Sequence, residues 1–415
     1  MFFASTVVSP ELRVRARNRC SCKEKSLNIA VLGIKTIPAV AGADRVVEQL
    51  LEHFSPNNDY WVYLRADTAI AQPTQRNIHF IPLPALTGKH LGSFTFFLVC
   101  SLHYLLQKHY DLAHVHNSDF GLFMPLLRLK RAVPVLGTFH GDPYTRKKWG
   151  VLARAFLRFS ERCFVQCCNR LTSVSKFKSA GDSVGTRRHI DYVPNGVNVE
   201  SDDQHGDPLL TSLRLQPRNF ILFACGRLDP TKGLHHLLDA YERADPQERL
   251  LILGDFAHDP DYSRDIEQRI AARYGSSPER VCIVRELLPR ARLLRVLRAC
   301  KLFVFPSEYE AMSMMLLEAV SSRAPIVCSD LPENLAVLGA DYPFAYPATD
   351  AVALAVTLER ALSDPDWERR TEECYTRCVR DFSWPAVARR YEEIYDELTA
   401  TRRKAAGVRA PSTSS

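Results

Sequence analysis

Short apolar runs of three to six residues recur along this chain, and segments of helix length separate most of them. In the first half they are Asn28–Leu32, Tyr60–Leu64, Ile78–Ile81, Leu112–Val115, Val133–Thr138 and Leu171–Val174. In the second half they are Ile221–Ala224, Leu250–Leu253, Val281–Val284, Leu302–Phe305 and Ile326–Cys328. Strands alternating with helices in this way predict an α/β fold with a parallel, doubly wound sheet. The pattern occurs twice, and a chain of 415 residues with 46% hydrophobic side chains is large enough for two cores. The expected division is a body over 27–200, a polar linker over 201–218 and a second body over 219–383. An amphipathic helix is expected over 384–401. Residues 1–26 and 402–415 are expected to be disordered tails, the first of them basic and either native or an over-extended start. The apolar segment Leu91–Leu106 carries Ser93, Ser101 and His103. It falls short of a membrane span and predicts a buried helix.

Chemistry collects where the runs end. Leu302–Phe305 runs into Pro306 and Ser307, then Glu310, and eight positions later Glu318. If 310–318 were all helical, the two carboxylates would lie about 80° apart around the axis and about 12 Å apart along it. That spacing suits two contacts on one extended ligand. Leu316, Leu317, Ala319 and Val320 surround Glu318, so its carboxylate must find partners. The plainer alternative is that Glu310 caps a helix whose exposed face carries Glu318. The run at Ile221–Ala224 ends at Gly226 and delivers Arg227 and Lys232 to a loop, GRLDPTKG. Parallel strands bring such ends to one edge of the sheet, where ligands bind. Gly42 stands just before an amphipathic helix, where a ligand can approach the backbone and meet unpaired N–H donors.

Other signals are weaker. His114 and His116 share a strand face, but no carboxylate completes a metal set, and a metal site is not expected. Asp259–Asp261 reads DPD in a proline-rich stretch, a turn and helix cap. The 12 cysteines lack zinc-knuckle spacing and read as reduced thiols of a cytosolic protein. A net charge of +7 permits anionic partners without pointing to nucleic acid. Arg146, Lys147, Lys148 and Trp149 precede a helix in which Leu152, Phe156, Phe159 and Phe164 alternate with Arg154, Arg158 and Arg162. The apolar set is either the inward face of a core helix or, with the cations, a surface for an anionic membrane.

GRLDPTKG followed by E-x7-E resembles the donor half of a retaining glycosyltransferase of family 4, of the GT-B fold, over roughly residues 27 to 400. The resemblance implies two Rossmann-like domains facing across a cleft: an acceptor domain, a nucleotide-sugar domain, and a last helix crossing back to the first. It implies transfer of a sugar from a nucleotide diphosphate sugar to a hydroxyl, in polysaccharide or glycolipid synthesis. Arg227 and Lys232 would counter the diphosphate, Glu310 would accept from sugar hydroxyls, and His140 of the TFHG stretch would lie beside the donor sugar. Gly42, Ala41, His116, Asn195, Gly226, Ala311, Met312, Ser313, Met314 and Glu318 are the further binding candidates, Glu318 for the ribose. No cofactor or metal is expected. The family's GGAERVV has Ala41 and Asp44 here, and Ala311 and Ser313 stand where it has glycines, which makes the sugar pocket tighter. The acceptor is expected to be a glycan or a lipid-linked molecule, with the protein cytoplasmic or peripheral on the inner membrane face. A GT-B phosphorylase, a nucleotide-sugar epimerase and a non-catalytic glycan- or nucleotide-binding scaffold remain open alternatives.

Overall fold

The computed structural model describes residues 26–39, 42–68, 70, 72–73, 75–88, 91–141, 150–180, 188–198 and 206–405. Arg146, Lys147, Lys148, Trp149 and Ala41 lie outside the described residues, as do 1–25 and 406–415 of the two expected tails.

Two parallel sheets form the framework. The first contains β1 (Asn28–Leu32), β2 (Asp59–Arg65), β3 (Ile78–Leu83), β4 (Leu112–His116), β5 (Val135–Phe139), β6 (Arg170–Ser173) and β7 (Asp191–Tyr192). Its strand order is β3-β2-β1-β4-β5-β6-β7. The second contains β8 (Phe220–Arg227), β9 (Arg249–Asp255), β10 (Val281–Val284), β11 (Leu302–Phe305), β12 (Ile326–Ser329) and β13 (Ala345–Tyr346), in the order β10-β9-β8-β11-β12-β13. Each sheet reverses its winding once, between β1 and β4 and between β8 and β11. Ligand crevices form at such switch points, outside the carboxyl ends of the strands.

The strands match the apolar runs because parallel strands are covered on both faces and need continuous hydrophobic sequence. One face of the first sheet packs against helices Gly42–His53 and Trp384–Ala405; the other is covered by Leu91–Leu106, Met124–Leu127 and Val151–Cys167. The second sheet is sandwiched in the same manner. The last helix belongs to the first core. Trp384, Val387, Ala388, Tyr391, Ile394 and Tyr395 are all buried there, beside Ile29, Val31, Val47 and Leu50. Its entry is fixed at Gly196, where a Cβ would fall 2.2 Å from the Trp384 ring. The two chain crossings between the domains run side by side: Val197 N–H donates to Phe382 O at 2.6 Å.

Three expectations need correction. Leu91–Leu106 is a helix, but only half-buried. Phe96, Phe97, Cys100 and Tyr104 face the core while Leu91, Phe94, Leu102 and Leu106 are exposed. The expected linker holds a short helix, Pro208–Ser212, started by Asp207 accepting from Leu209 N–H. Leu210 and Leu215 anchor that stretch in the second core. The final helix continues to Ala405, four residues into the expected tail.

Candidate active site

In the second domain, β8 loses register with β9 between Ala224 and Arg227, and so delivers Arg227 at the rim of the sheet. The chain then makes a tight turn over Pro230–Lys232, in which Asp229 accepts from Thr231 N–H. Gly233 closes this turn at φ 68°, and a Cβ there would fall 1.9 Å from Pro306 O. The turn is thereby pressed against the end of β11, and Glu308 N–H donates to Thr231 O at 2.8 Å. As a result Lys232 Nζ meets Glu310 Oε1 at 2.7 Å, with both side chains largely buried. Lys232 and the first carboxylate sit together at the strand ends, and Arg227 closes β8 at the same edge of the sheet.

Residues 310–313 are not helical. The helix spans Met314–Ser321, and Ser313 caps it by accepting from Leu316 N–H at 3.3 Å. The helical spacing between Glu310 and Glu318 therefore does not apply. Glu318 does lie among apolar neighbours, but its partners come from elsewhere. Arg45 of the first domain donates to Oε1 at 2.8 Å and Arg290 at 3.2 Å. Neither contact falls on Oε2. The carboxylate is buried, and the two guanidiniums offset the cost of desolvating it.

On the facing domain, Gly33 at φ 88° repeats the arrangement at Gly233. Its Cβ would fall 1.8 Å from His116 O, so the loop after β1 lies on the end of β4. Asp44 is buried and accepts from Lys35 N–H and from the Thr36 hydroxyl, which shapes that loop. The Asp that replaces the family's Glu is thus a loop anchor. Gly42 is exposed, and a Cβ there, as at Gly226, would meet nothing within 4 Å.

His116 Nδ1 and His140 Nε2 are 2.9 Å apart, while His140 Nδ1 is buried with no partner among the described residues. Burial holds the His140 imidazole down at about 4 and pushes His116 well below its ordinary range, so both are neutral near pH 7. His114 serves structure: Tyr395 from the last helix and Thr138 satisfy both its nitrogens.

The loop 309–314 forms the seam between the domains. A Cβ on Gly141 would lie 3.6 Å from Ala311 Cβ and 3.8 Å from Tyr309 Oη. Asn195 Nδ2 donates to Met312 O at 2.9 Å. Met314 packs against the cores of both domains. His140, Glu310, Ala311, Met312, Asn195 and Lys232 thus belong to one neighbourhood.

The sequence reading missed Lys35. It is half-buried on the loop after β1, and its ammonium is held below the usual lysine range. Burial is the main cause, and the positive charges of Arg65 and Arg227 add smaller contributions against carboxylates at Asp119 and Asp44. Lys35 Nζ donates to Ser93 Oγ at 2.8 Å and lies 5.6 Å from the Phe97 ring centre. Nothing in the local sequence, GIKTIP, distinguished Lys35 from a surface lysine.

Family models match both halves of the chain: "Glycosyltransferase Family 4" over residues 40–201 and "Glycosyl transferases group 1" over 211–375. Alpha-maltose-1-phosphate synthase of Mycolicibacterium smegmatis is 28% identical over 313 residues, 70% of this chain and 79% of that protein. An Escherichia coli UDP-Gal:alpha-D-GlcNAc-diphosphoundecaprenol alpha-1,3-galactosyltransferase is 23% identical over 392 residues, 90% of this chain and 97% of that one. Among solved structures, sucrose-phosphate synthase from Thermosynechococcus elongatus superposes with a TM-score of 0.78 at 21% identity. That match covers 90% of this chain and all of the other.

Proposed function

Because the chain belongs to the family 4 glycosyltransferases of the GT-B fold and acts on nucleotide sugars, we propose that it transfers the sugar with retention to a hydroxyl of a lipid-linked or glycan acceptor. The observation that carries this reading is the Lys232–Glu310 pair at the switch point of one sheet, facing the His116–His140 pair of the other.

The bond from the sugar's anomeric carbon to the diphosphate oxygen breaks, and its electron pair stays on that oxygen. Arg227 and Lys232 stabilise the charge that develops there. The N–H groups at the start of the Met314 helix add to the same field. The acceptor oxygen attacks from the face the diphosphate leaves, and its proton passes to the departing phosphate oxygen. No protein nucleophile and no metal takes part in this scheme. Glu310 accepts from the sugar hydroxyls, and the unpartnered Nδ1 of His140 offers a second polar contact. Gly42 and Gly226 face open space, so packing gives no reason for a missing side chain, and a ligand lying on the backbone supplies one. The direct test is to incubate the protein with nucleotide diphosphate sugars and short-chain lipid-linked and glycan acceptors. Released nucleoside diphosphate and an α-linked product from an α-linked donor are expected. A product of inverted configuration would overturn retention. Failure of every donor to turn over would remove the site assignment.

Glu318 binds the donor ribose through Oε2, the oxygen that Arg45 and Arg290 leave. Losing one hydrogen bond to a charged group costs about 1.5–3 kcal/mol, so a 2′-deoxy donor should bind on the order of ten to a hundred times more weakly. Glu318→Gln narrows that gap while sparing the helix. The two affinities, measured calorimetrically on wild type and variant, check this; an unchanged gap in the variant makes Glu318 a purely structural partner of Arg45.

A lipid-linked acceptor needs a route to a membrane. Among the described residues no helix is long and apolar enough to cross one. On the helix Val151–Cys167, Phe164 is buried, but Val151, Phe156 and Phe159 are exposed beside exposed Arg154, Arg158 and Arg162. The inward-face alternative therefore holds for Phe164 and fails for Phe156 and Phe159. An exposed aromatic and basic face favours an anionic bilayer. Phe156→Ser/Phe159→Ser should release the protein from acidic vesicles in sedimentation assays. Equal binding by wild type and variant would refute this contact.

A further inference from the structure

Beside the Lys232–Glu310 pair lies a cluster that the transfer reaction does not use. His235 and His236 open the helix Leu234–Ala244, and Glu308 sits on the loop after β11. His235 Nε2 is 3.5 Å from Glu308 Oε1, and His236 Nε2 is 3.3 Å from the same oxygen. No two of the three ligand atoms are more than 4.8 Å apart. We propose that His235, His236 and Glu308 bind one zinc-class divalent metal, which fastens the Glu310 loop to the start of this helix.

Three observations carry the proposal. The first is distance. Zinc bonds to nitrogen and oxygen of about 2.0–2.1 Å in a tetrahedron place neighbouring ligand atoms about 3.3–3.4 Å apart. The two measured separations lie close to that edge and are long for an N–H···O bond, which clusters at about 2.9–3.0 Å. The second is orientation. Tyr262 Oη lies 2.9 Å from His235 Nδ1 and 3.3 Å from the His235 backbone N–H. The backbone N–H donates to this oxygen, and in the tautomer whose Nδ1–H donates there as well the Nε2 lone pair faces Glu308, the outer-sphere support that metal-binding histidines receive. The third is access. The three side chains keep 14–23% of their surface exposed, so an entry path and a fourth, water-held position are available.

The consequence is local rigidity. Glu308 and Glu310 lie two residues apart, and Lys232 and His235 three, so a metal on one side of the turn holds in register the pair on the other. Metal binding at this site is measured apart from glycosyl transfer and stands or falls separately from it.

The test uses the full chain, treated with chelator and exchanged into metal-free buffer. Titration with cobalt(II) chloride should produce the visible d–d band of a tetrahedral nitrogen/oxygen site, saturating at one equivalent and displaced by zinc chloride. His236→Ala and Glu308→Gln should each abolish the band. Tyr262→Phe should weaken binding about 10–100-fold. Glu308→Gln preserves side-chain volume, so it decides the matter if His236→Ala does not fold. Absence of the band in wild type at millimolar cobalt, or equal bands in wild type and Glu308→Gln, would overturn the site. A thiolate charge-transfer band instead would place the metal on cysteine and overturn it equally.

Discussion

Lys232→Ala and Arg227→Ala should each lower kcat/KM by a hundredfold or more. The departing diphosphate gains charge in the transition state, and removing one fixed donor from such a site costs about 3 kcal/mol, a factor of 10²–10³. The two substitutions should differ in stability. Lys232 neutralises Glu310, whose side chain is only 10% exposed, so Lys232→Ala leaves that carboxylate without its cation. A loss of about 1–3 kcal/mol is expected from that alone. Lys232→Met/Glu310→Gln removes both charges and should recover most of the stability while remaining inactive. Donor turnover and urea melts on all four proteins separate the two effects. Near-normal turnover in both single variants would remove the diphosphate role from these residues.

Gly233→Ala should be strongly destabilising. Its φ of 68° is left-handed, which costs an alanine about 1–2 kcal/mol. The added Cβ would then stand 1.9 Å from Pro306 O, a backbone atom held at the end of β11. Relief requires parting the turn from the strand, so a total of about 4 kcal/mol or more is expected, a size reserved for strain and core disruption. Gly226→Ala is the internal control. It lies seven residues earlier, has no left-handed φ, and its Cβ meets nothing within 4 Å. Stability should stay within about 0.5 kcal/mol of wild type, while donor affinity falls if the backbone carries the ligand. Equal urea midpoints for the two alanine variants would show that the Gly233 turn yields without cost.

Much of the fold was legible because each central strand is a continuous apolar run with a turn signal at its end. The edge strands β7 and β13 were not, since two residues carry no periodicity. Arg227, Lys232 and Glu310 were legible as charges at strand ends. The partners were not: Glu318 is met by Arg45, 273 positions away, and sequence order holds no trace of that meeting. The same limit hid Lys35, whose ammonium is buried beside Ser93, 58 positions away. His235 and His236 adjoin in the sequence and drew no reading there, because Glu308 joins them only through the fold. For the helix Val151–Cys167, apolar residues on more than one face left open which of them points inward, and only the packing of Phe164 decides it.

The last helix also orders the events of synthesis. β7 ends at Tyr192, and the helix that completes its sheet begins at Trp384. At about 5–20 residues per second, the ribosome needs roughly 10–40 s to bridge that interval. Throughout it, the sheet face around Ile29, Val31 and Val62 lacks Tyr391, Ile394 and Tyr395. The domain translated first is therefore the last to close. A nascent chain stalled between Tyr192 and Trp384 presents an apolar surface to the cell, and only the last helix supplies the segment that hides it.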